Sequence, residues 1–303
     1  MPSENESVSK SKNTKISIKK LGFTEHQKKR IALANKLERE SMIIHGTLGE
    51  VYLRKRRGIT CQLPESLRYH PSIYVPEVGK HLPALLVIAK NEKGKTQAVQ
   101  TIFLDRETHN KANIETNKRI TGPIKGAIVT IQEGKTKDSP TLIAEGIETA
   151  LSLKMANKDA HIKATLGVSN YLNIPQSHIS KTAVFCLDND GAKSMSEITA
   201  FKGMQRLKES RVTVFYNQPD TVKTDYNDVL KQNGIDAIHA KINTSIAYQP
   251  TKEISPNFEE YQKGKITYQK GINHIDLCDL STKNSGKTIS IKSEKNKIHE
   301  LEL

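Results

Sequence analysis

The sequence has few of the residues and segments that mark secreted, zinc-stabilised or membrane proteins. Only three cysteines occur in its 303 residues, and Cys61, Cys186 and Cys278 form no CxxC pair. Zinc ribbons and disulfide frameworks are therefore not expected, and a reducing compartment fits the sequence. The first residues lack the apolar stretch of a signal peptide, and no run is long enough to span a bilayer. We expect a cytoplasmic protein that contacts no membrane.

Acidic residues are in deficit, with 33 Asp and Glu against 47 Lys and Arg, for a formal net charge of +14. Residues 1–140 hold 26 of the basic and 14 of the acidic residues, whereas residues 141–250 hold 12 and 11. A basic excess concentrated in one half of the chain favours a polyanionic partner. A Lys-rich host genome is the alternative explanation.

Four segments differ in composition and in hydrophobic pattern. Residues 1–22 are rich in Ser, Lys and Asn and are expected to be disordered. Residues 23–138 mix helices with locally paired strands, and residues 139–243 alternate short apolar runs with helices, as a parallel sheet does. Residues 244–303 show no period and predict a tail of low order. The predicted fold class is α/β: a four-stranded parallel sheet flanked by helices, preceded by a mixed α+β subdomain, with flexible termini.

Two helices and three strands are predicted in the first half. A helix runs from Thr24 to about residue 42. A second helix is predicted between a capping box formed by Thr47 and Glu50 and a stop at Gly58. Residues 84–90 and 97–104 read as strands of an antiparallel hairpin joined by the turn NEKGK. The stretch GAIVTI, 126–131, reads as a further short strand of this half.

The second helix ends in four consecutive basic residues, RKRR. Cations in a last turn stabilise the helix dipole. Four in a row exceed that requirement, so a phosphate contact is an equally weighted interpretation. The candidates for that contact are Arg54, Arg56 and Arg57.

Acidic residues follow two of the predicted parallel strands. Glu145 ends TLIAEG, and Asp188 and Asp190 end AVFCLDND. The carboxyl ends of parallel strands share one edge of a sheet, so these carboxylates are expected to lie together and to raise each other's pKa. A hard divalent cation, Mg²⁺ or alternatively Mn²⁺, would relieve that repulsion. An ordinary Asp-Asn-Asp-Gly turn is the alternative, and Glu148 alone reads as a first-turn acid favoured by the helix dipole.

In combination, these motifs resemble the Toprim domain found in bacterial-type DNA primases, topoisomerases and nucleases. The matching segments are EGIETALS, LGVSN, DNDGA and DYNDVL, within residues 141–230. Together they are most similar to the subgroup in phage-type primases and conjugative-transfer proteins. A weaker resemblance extends upstream through GTLGEVYLRKRRGI and KRITGPIKGAIVTI, so that about residues 44–243 are covered.

The resemblance implies roles for individual residues. Glu145 would be the catalytic acid or base, or a carboxylate shared with the metal, and Asp188 and Asp190 would hold Mg²⁺. Asp225 and Asp228 would be accessory ligands, with helix capping as the alternative for Asp225. The cations that could hold phosphates or template, or could be ordinary surface charges, are Lys111, Lys118 and Arg119. Lys193 departs from the resemblance, because related sequences often have a second Gly shortly after DNDGA; this lysine could contact a phosphate or could crowd the loop.

The implied function is a Mg²⁺-dependent, primase-type nucleotidyl transfer on single-stranded DNA from NTPs, in phage replication or conjugative plasmid transfer. A helicase or a relaxase on another chain would be a further partner. The sequence has neither the zinc-ribbon cysteines of primases, nor a P-loop in a strand–helix setting, nor a relaxase histidine cluster. Two alternatives remain open: a Toprim nuclease that hydrolyses phosphodiesters, and a non-catalytic DNA-binding fragment of a larger conjugative protein.

Overall fold

The computed structural model describes residues 22–250. Expectations for residues 1–21 and 251–303, Cys278 among them, lie outside the described residues. Among residues 22–250, no helix combines the length and the apolar composition that crossing a membrane requires.

The first half forms an antiparallel sheet with a helix on one face. Helix α1 (Glu25–Glu40) begins at a capping box in which the Thr24 hydroxyl accepts from the Gln27 backbone N–H at 3.2 Å. Its buried Ala34 packs with Leu86 and Val99 of the sheet. The strands follow one another in space in chain order: β1 (Met42–Ile43), β2 (Leu67–Val75), β3 (Lys80–Lys90), β4 (Thr96–Phe103) and β5 (Lys118–Thr121).

The predicted hairpin is present as β3 and β4, which pair antiparallel with Leu86 opposite Thr101. Strand β2 was not predicted. Its pattern is broken by Pro71 within the strand and by a shift of register between His70 and Ile73. Such a run does not show the clean alternation from which strands are read.

The second helix differs from the prediction. Helix α2 (Leu48–Val51) is short and continues as a π-helical turn over Tyr52–Arg56. The expected capping box is wrong, because the Thr47 hydroxyl donates to the Ile44 carbonyl at 2.5 Å. The segment still ends where expected, at Gly58, whose φ of +68° is the left-handed conformation that favours glycine.

The second half is an α/β unit with six strands. Its four central strands are parallel in the order β10-β9-β7-β8, and β11 and β6 pair antiparallel at the two edges. The elements are β6 (Val129–Gln132), β7 (Thr141–Ala144), α3 (Ile147–Ala156), β8 (His161–Ala164), β9 (Thr182–Cys186), α4 (Met195–Glu209), β10 (Thr213–Asn217), α5 (Tyr226–Asn243) and β11 (Ile246–Ala247).

Two strands lie outside the segment predicted for this sheet. The strand at 126–131 was placed in the first half, but β6 pairs with β8 of the second sheet. Strand β11 lies in the segment expected to have low order, and pairs with β10. Neither could be assigned to its sheet from the sequence. The partner of a short edge strand depends on long-range packing, which the residue pattern of the strand itself does not specify.

The two faces of the parallel sheet bury alternate residues of each strand. Leu142 and Val184 face α3, α5 and the antiparallel sheet, in one hydrophobic core that also contains Leu85 and Val87 of β3. Phe185 and its neighbours face α4 on the other side. The two halves of the chain therefore share a core, with the carboxyl ends of the parallel strands at one edge.

Candidate active site

The pairing of β7 with β9 sets the geometry of the acidic edge. These strands are parallel neighbours, and Ala144 lies opposite Cys186. Glu145 therefore follows immediately on β7, and Asp188 follows two residues after the end of β9, at the same edge of the sheet. Proximity is evident in their electrostatics, because the negative charge of Glu145 raises the pKa of Asp188.

Among the carboxyl groups of residues 22–250, Asp188 has the most strongly shifted pKa. Burial raises its pKa to about 7, and the charges of Asp225 and Glu145 add to the shift. The Thr149 hydroxyl, which donates to Asp188 Oδ1 at 3.1 Å, opposes it. Thr149 lies in the first turn of α3, which begins two residues after Glu145, so the helix that follows one acid orients the other.

Glu145 lies between an acid and a base. Burial raises the pKa of its carboxyl, the positive charge of Lys118 lowers it, and the negative charge of Asp190 raises it. Lys118 belongs to β5 of the antiparallel sheet and is exposed. The first half of the chain thus brings a cation to the acidic edge formed by the second half.

The loop after β9 is held by its own polar groups. Asn189 is buried and donates to the Pro219 carbonyl at 2.8 Å, while Ser196 donates to Asp190 Oδ2 at 2.5 Å. Gly191 has a φ of +92°, and Lys193 adopts a left-handed φ of +62°, which is uncommon for a lysine. The backbone N–H of Lys193 donates to Glu197 and its side chain is exposed, so it is free to face a phosphate.

Asp225 and Asp228 form the capping box of α5. Asp225 accepts from the backbone N–H groups of Asn227 and Asp228 at 2.7 and 2.9 Å, and Asp228 accepts from the N–H of Asp225 at 3.2 Å. Burial raises the pKa of Asp225, although these hydrogen bonds lower it. Asp225 lies close enough to Asp188 for its charge to raise the pKa of Asp188. The Asp228 carboxylate, in contrast, accepts a hydrogen bond within the helix cap.

The carboxylates fit a hard divalent cation in their chemistry. Asp188, Glu145 and Asp225 each have a raised pKa, partly because other acids lie nearby, and a bound cation would remove that repulsion. Within residues 22–250, no three His, Cys, Asp or Glu side chains are already grouped as a metal site. The Thr149 and Ser196 hydroxyl groups each bind one carboxylate oxygen, Asp188 Oδ1 and Asp190 Oδ2, which leaves the second oxygen of each aspartate for a cation.

The basic residues predicted to contact phosphate differ in how many of their donors are already used. Arg54 is fully engaged, because its guanidinium binds Glu50 at 3.1 Å and donates to the carbonyls of Ile59 and Cys61. Arg119 pairs with Glu77 at 2.9 Å and lies over the Phe103 ring. These two arginines stabilise the first half of the chain.

Three of the remaining cations make fewer contacts. Arg56 is exposed and donates to the Thr108 carbonyl. Arg57 donates through Nε to the Tyr52 hydroxyl at 2.8 Å, and Lys111 pairs with Glu148 at 2.9 Å.

Sequence reasoning missed the hydroxyl and amide groups that orient these charges. Thr149 and Ser196 hold the two aspartates, and Tyr52 and Asn227 hold Arg57. A signal was present for Thr149, since it lies four residues after Glu145 on a predicted helix. No comparable signal existed for Tyr52, which is 96 residues from its partner Glu148.

Comparison with protein families assigns the two halves to different models. Residues 141–236 match the Toprim domain, and residues 28–131 match a family described as a domain of unknown function (DUF7146). A search of curated protein sequences finds no match.

Solved structures with the same fold are primase cores. The zinc-binding and RNA polymerase domains of the Aquifex aeolicus primase superpose with a TM-score of 0.52 at 14% identity, covering 78% of this chain and 66% of that one. The DnaG catalytic core gives 0.52 at 12%, covering 72% and 80%. The DnaG primase catalytic domain bound to single-stranded DNA gives 0.50 at 12%, covering 74% and 84%. At these identities the likeness establishes the fold.

Proposed function

Because this chain is a Toprim-domain protein with the fold of a primase core, we propose that it carries out Mg²⁺-dependent nucleotidyl transfer on single-stranded DNA, with NTPs as substrates. One observation supports this above all. Glu145 and Asp188 follow neighbouring parallel strands, and each has a raised pKa, to which burial and nearby acids contribute. Half-buried acids at the carboxyl edge of a parallel sheet are suited to a cation and to phosphate chemistry.

In this proposal each acid has a distinct role. Glu145 is the general acid or base, because a carboxyl of raised pKa exchanges protons nearer to neutral pH. Asp188 and Asp190 would hold Mg²⁺, with Asp225 and Asp228 as accessory ligands. Bound Mg²⁺ neutralises the charge that develops on the transferred phosphate.

The cations supply the binding surface for the substrate. Lys118 stands beside Glu145, where a nucleotide phosphate would approach, and Arg57 and Lys111 flank the same edge from the first half. Arg56 and Lys193 are exposed and extend this surface. Affinity for nucleic acid through such contacts falls as salt rises.

The biological setting follows from the motifs alone. EGIETALS and DNDGA are similar to segments of phage-type primases and conjugative-transfer proteins, so we propose replication of a phage or transfer of a plasmid. A helicase or relaxase on another chain is the partner that such a setting supplies.

The test is primer synthesis by the full chain with NTPs, Mg²⁺ and single-stranded DNA. We expect Glu145→Gln to lower the rate by about 100-fold or more, while DNA affinity changes little, because the carboxyl acts on a proton and not on binding. Asp188→Asn should also abolish synthesis. The matched control is Asp236→Asn, which changes an exposed aspartate of α5.

Other outcomes separate the alternatives. Metal-dependent cleavage of labelled DNA without NTPs would identify a nuclease that uses the same acids. DNA binding with neither activity would identify a non-catalytic fragment. A Glu145→Gln variant with full synthesis would remove Glu145 from its role.

A further inference from the structure

A row of buried and half-buried polar side chains crosses the boundary between the two halves of the chain. Tyr52 donates to Glu148 Oε1 at 2.9 Å, and Lys111 Nζ lies 2.9 Å from the same oxygen. Arg57 Nε donates to the Tyr52 hydroxyl at 2.8 Å. Tyr52 is fully buried and Glu148 is only 8% exposed. One carboxylate of α3 thus holds two cations of the first half, one directly and one through a phenol.

Hydrogen bonds also hold the backbone on both sides of this row, at Arg57 and at Glu148. Asn227 of α5 donates from Nδ2 to the Arg57 carbonyl at 2.7 Å and to Ser152 Oγ at 3.1 Å. Ser152 Oγ in turn donates to the Glu148 carbonyl at 2.9 Å. The π-helical turn Tyr52–Arg56 immediately precedes Arg57, and such turns are frequent at functional sites. Three elements therefore meet at Arg57.

Arg57 retains the donors that bind phosphate best. Its guanidinium lies over the Tyr52 ring at 5.3 Å, which sets its plane, and only its Nε donates within residues 22–250. The two terminal nitrogens are left to form a bidentate contact with phosphate oxygens. Arg54, three residues earlier, differs because Glu50 and two carbonyls occupy its guanidinium.

The charges of the row extend toward the acidic edge. Asp225 is close enough to Arg57 to stabilise the charged guanidinium, and Asp225 also raises the pKa of Asp188. Burial raises the pKa of Glu148, but Lys111 and Arg57 outweigh it and bring the pKa to about 2. Glu148 is therefore ionised at any working pH and holds cations without exchanging protons.

We propose that Glu148 and Tyr52 are positioning residues, which hold Arg57 and Lys111 as a pair of phosphate-binding cations beside the acidic edge. This inference rests on the proposed function, since it assigns the phosphates to the nucleic acid or nucleotide at that site. A structural role alone does not explain the arrangement, because a buried ion pair gives little net stability compared with apolar residues of the same shape.

The experiment is a double-mutant cycle on the affinity of the full chain for a fluorescent single-stranded oligonucleotide in Mg²⁺ buffer. The variants are Arg57→Ala, Tyr52→Phe and the pair combined. We expect Tyr52→Phe to weaken binding by on the order of 10-fold, through loss of one hydrogen bond to a charged group. The double variant should bind no more weakly than Arg57→Ala alone, because Tyr52 acts through Arg57.

Tyr248→Phe is the matched control. Tyr248 is also buried, and its hydroxyl donates to Gln205 at 3.3 Å on the far face of the parallel sheet. We expect this variant to bind as the wild type does. Glu148→Gln should weaken binding and flatten its salt dependence. If that variant does not fold, the double-mutant cycle of Tyr52→Phe and Arg57→Ala still tests the inference.

Unchanged affinity in Tyr52→Phe, or losses that add in the double variant, would overturn the inference. A wild-type chain that binds the oligonucleotide but makes no primer contradicts the proposed function alone, and the binding cycle still tests the inference. A wild-type chain that binds neither oligonucleotide nor NTP overturns both.

Discussion

Acidic side chains at the candidate site owe their properties to neighbours that are distant in the sequence. Asp188 is shifted by its burial and then by Asp225 and Glu145, which follow different strands. Glu148 has the opposite shift, although it is more buried, because Lys111 and Arg57 surround it. Two acids of one site therefore differ in pKa because one faces like charges and the other faces cations.

The raised pKa of Asp188 predicts a pH dependence of stability in the absence of metal. Asp188 holds its proton up to about pH 7 in the folded chain, whereas the unfolded chain releases it near its ordinary value of 3.8. Its contribution to stability is therefore complete below that value and is lost as the pH rises through 7. Asp188→Asn should increase the free energy of unfolding at pH 8 by up to about 3 kcal/mol.

Thermal unfolding of both proteins at pH 5 and pH 8 measures this, because at about pH 5 part of the contribution remains and at about pH 8 it is lost. Asp236→Asn, which changes an exposed aspartate, should show no such gain. Added Mg²⁺ should stabilise the wild type more at pH 8 than at pH 5, because the ligand must be deprotonated. A variant with the same stability as the wild type at pH 8 would show that Asp188 is not repelled.

The basic segment before Gly58 gives a second prediction at this scale. Arg54 binds Glu50 and two carbonyl groups, so Arg54→Ala should lower the free energy of unfolding by about 1–3 kcal/mol and leave DNA affinity unchanged. Arg56→Ala combined with Arg57→Ala should instead weaken DNA binding and flatten its salt dependence. Denaturant unfolding and fluorescence anisotropy measure the two effects, and an unchanged salt slope in the double variant would assign both arginines to the fold.

Among the elements, α4 depends on a close approach to the 3₁₀ segment Val168–Asn173. A Cβ placed at Gly203 would lie 2.7 Å from the carbonyl oxygen of Tyr171, and backbone cannot move aside easily. Gly203→Ala should lower the free energy of unfolding by about 1–3 kcal/mol. Gly22→Ala is the control, since nothing lies within 4 Å of its Cβ position, and equal stability of the two variants would contradict this packing.

Elements with a local signal were predictable from the sequence, and elements without one were not. Helix α1 and the hairpin of β3 and β4 follow from periodicity and from the turn NEKGK, which are local patterns. The π-helical turn Tyr52–Arg56 has no sequence signature of its own. Glu148 contacts Tyr52 within the turn, and Asn227 contacts Arg57 immediately after it, both from elements distant in the sequence.

The molecule as a whole is held by a core that both halves contribute. Leu85 and Ala98 of the antiparallel sheet belong to the same cluster as Leu142 of the parallel sheet and Tyr226 of α5. Strand β6 lies before the predicted boundary at residue 138, yet it is an edge strand of the second sheet. The two segments therefore depend on each other for burial of their apolar faces.

A fragment comparison tests this dependence. A chain of residues 126–250 keeps β6, whereas a chain of residues 139–250 loses the buried Val129 and Ile131. We expect the shorter fragment to melt lower by about 10 °C or more, from the loss of that burial. Calorimetry of both fragments and of the full chain measures this, and equal melting temperatures would support the boundary at 138.

Strand order along the chain and the acidic motifs were readable from the sequence by itself, because alternating apolar runs and helices specify a parallel sheet whose strand ends share an edge. The tertiary structure alone decided which charges meet there. Lys118 faces Glu145, and Tyr52 joins Arg57 to Glu148, across separations that no local pattern encodes. The physical reason is that hydrophobic period and turn propensity act over a few residues, whereas the pairing of charges depends on how two sheets pack.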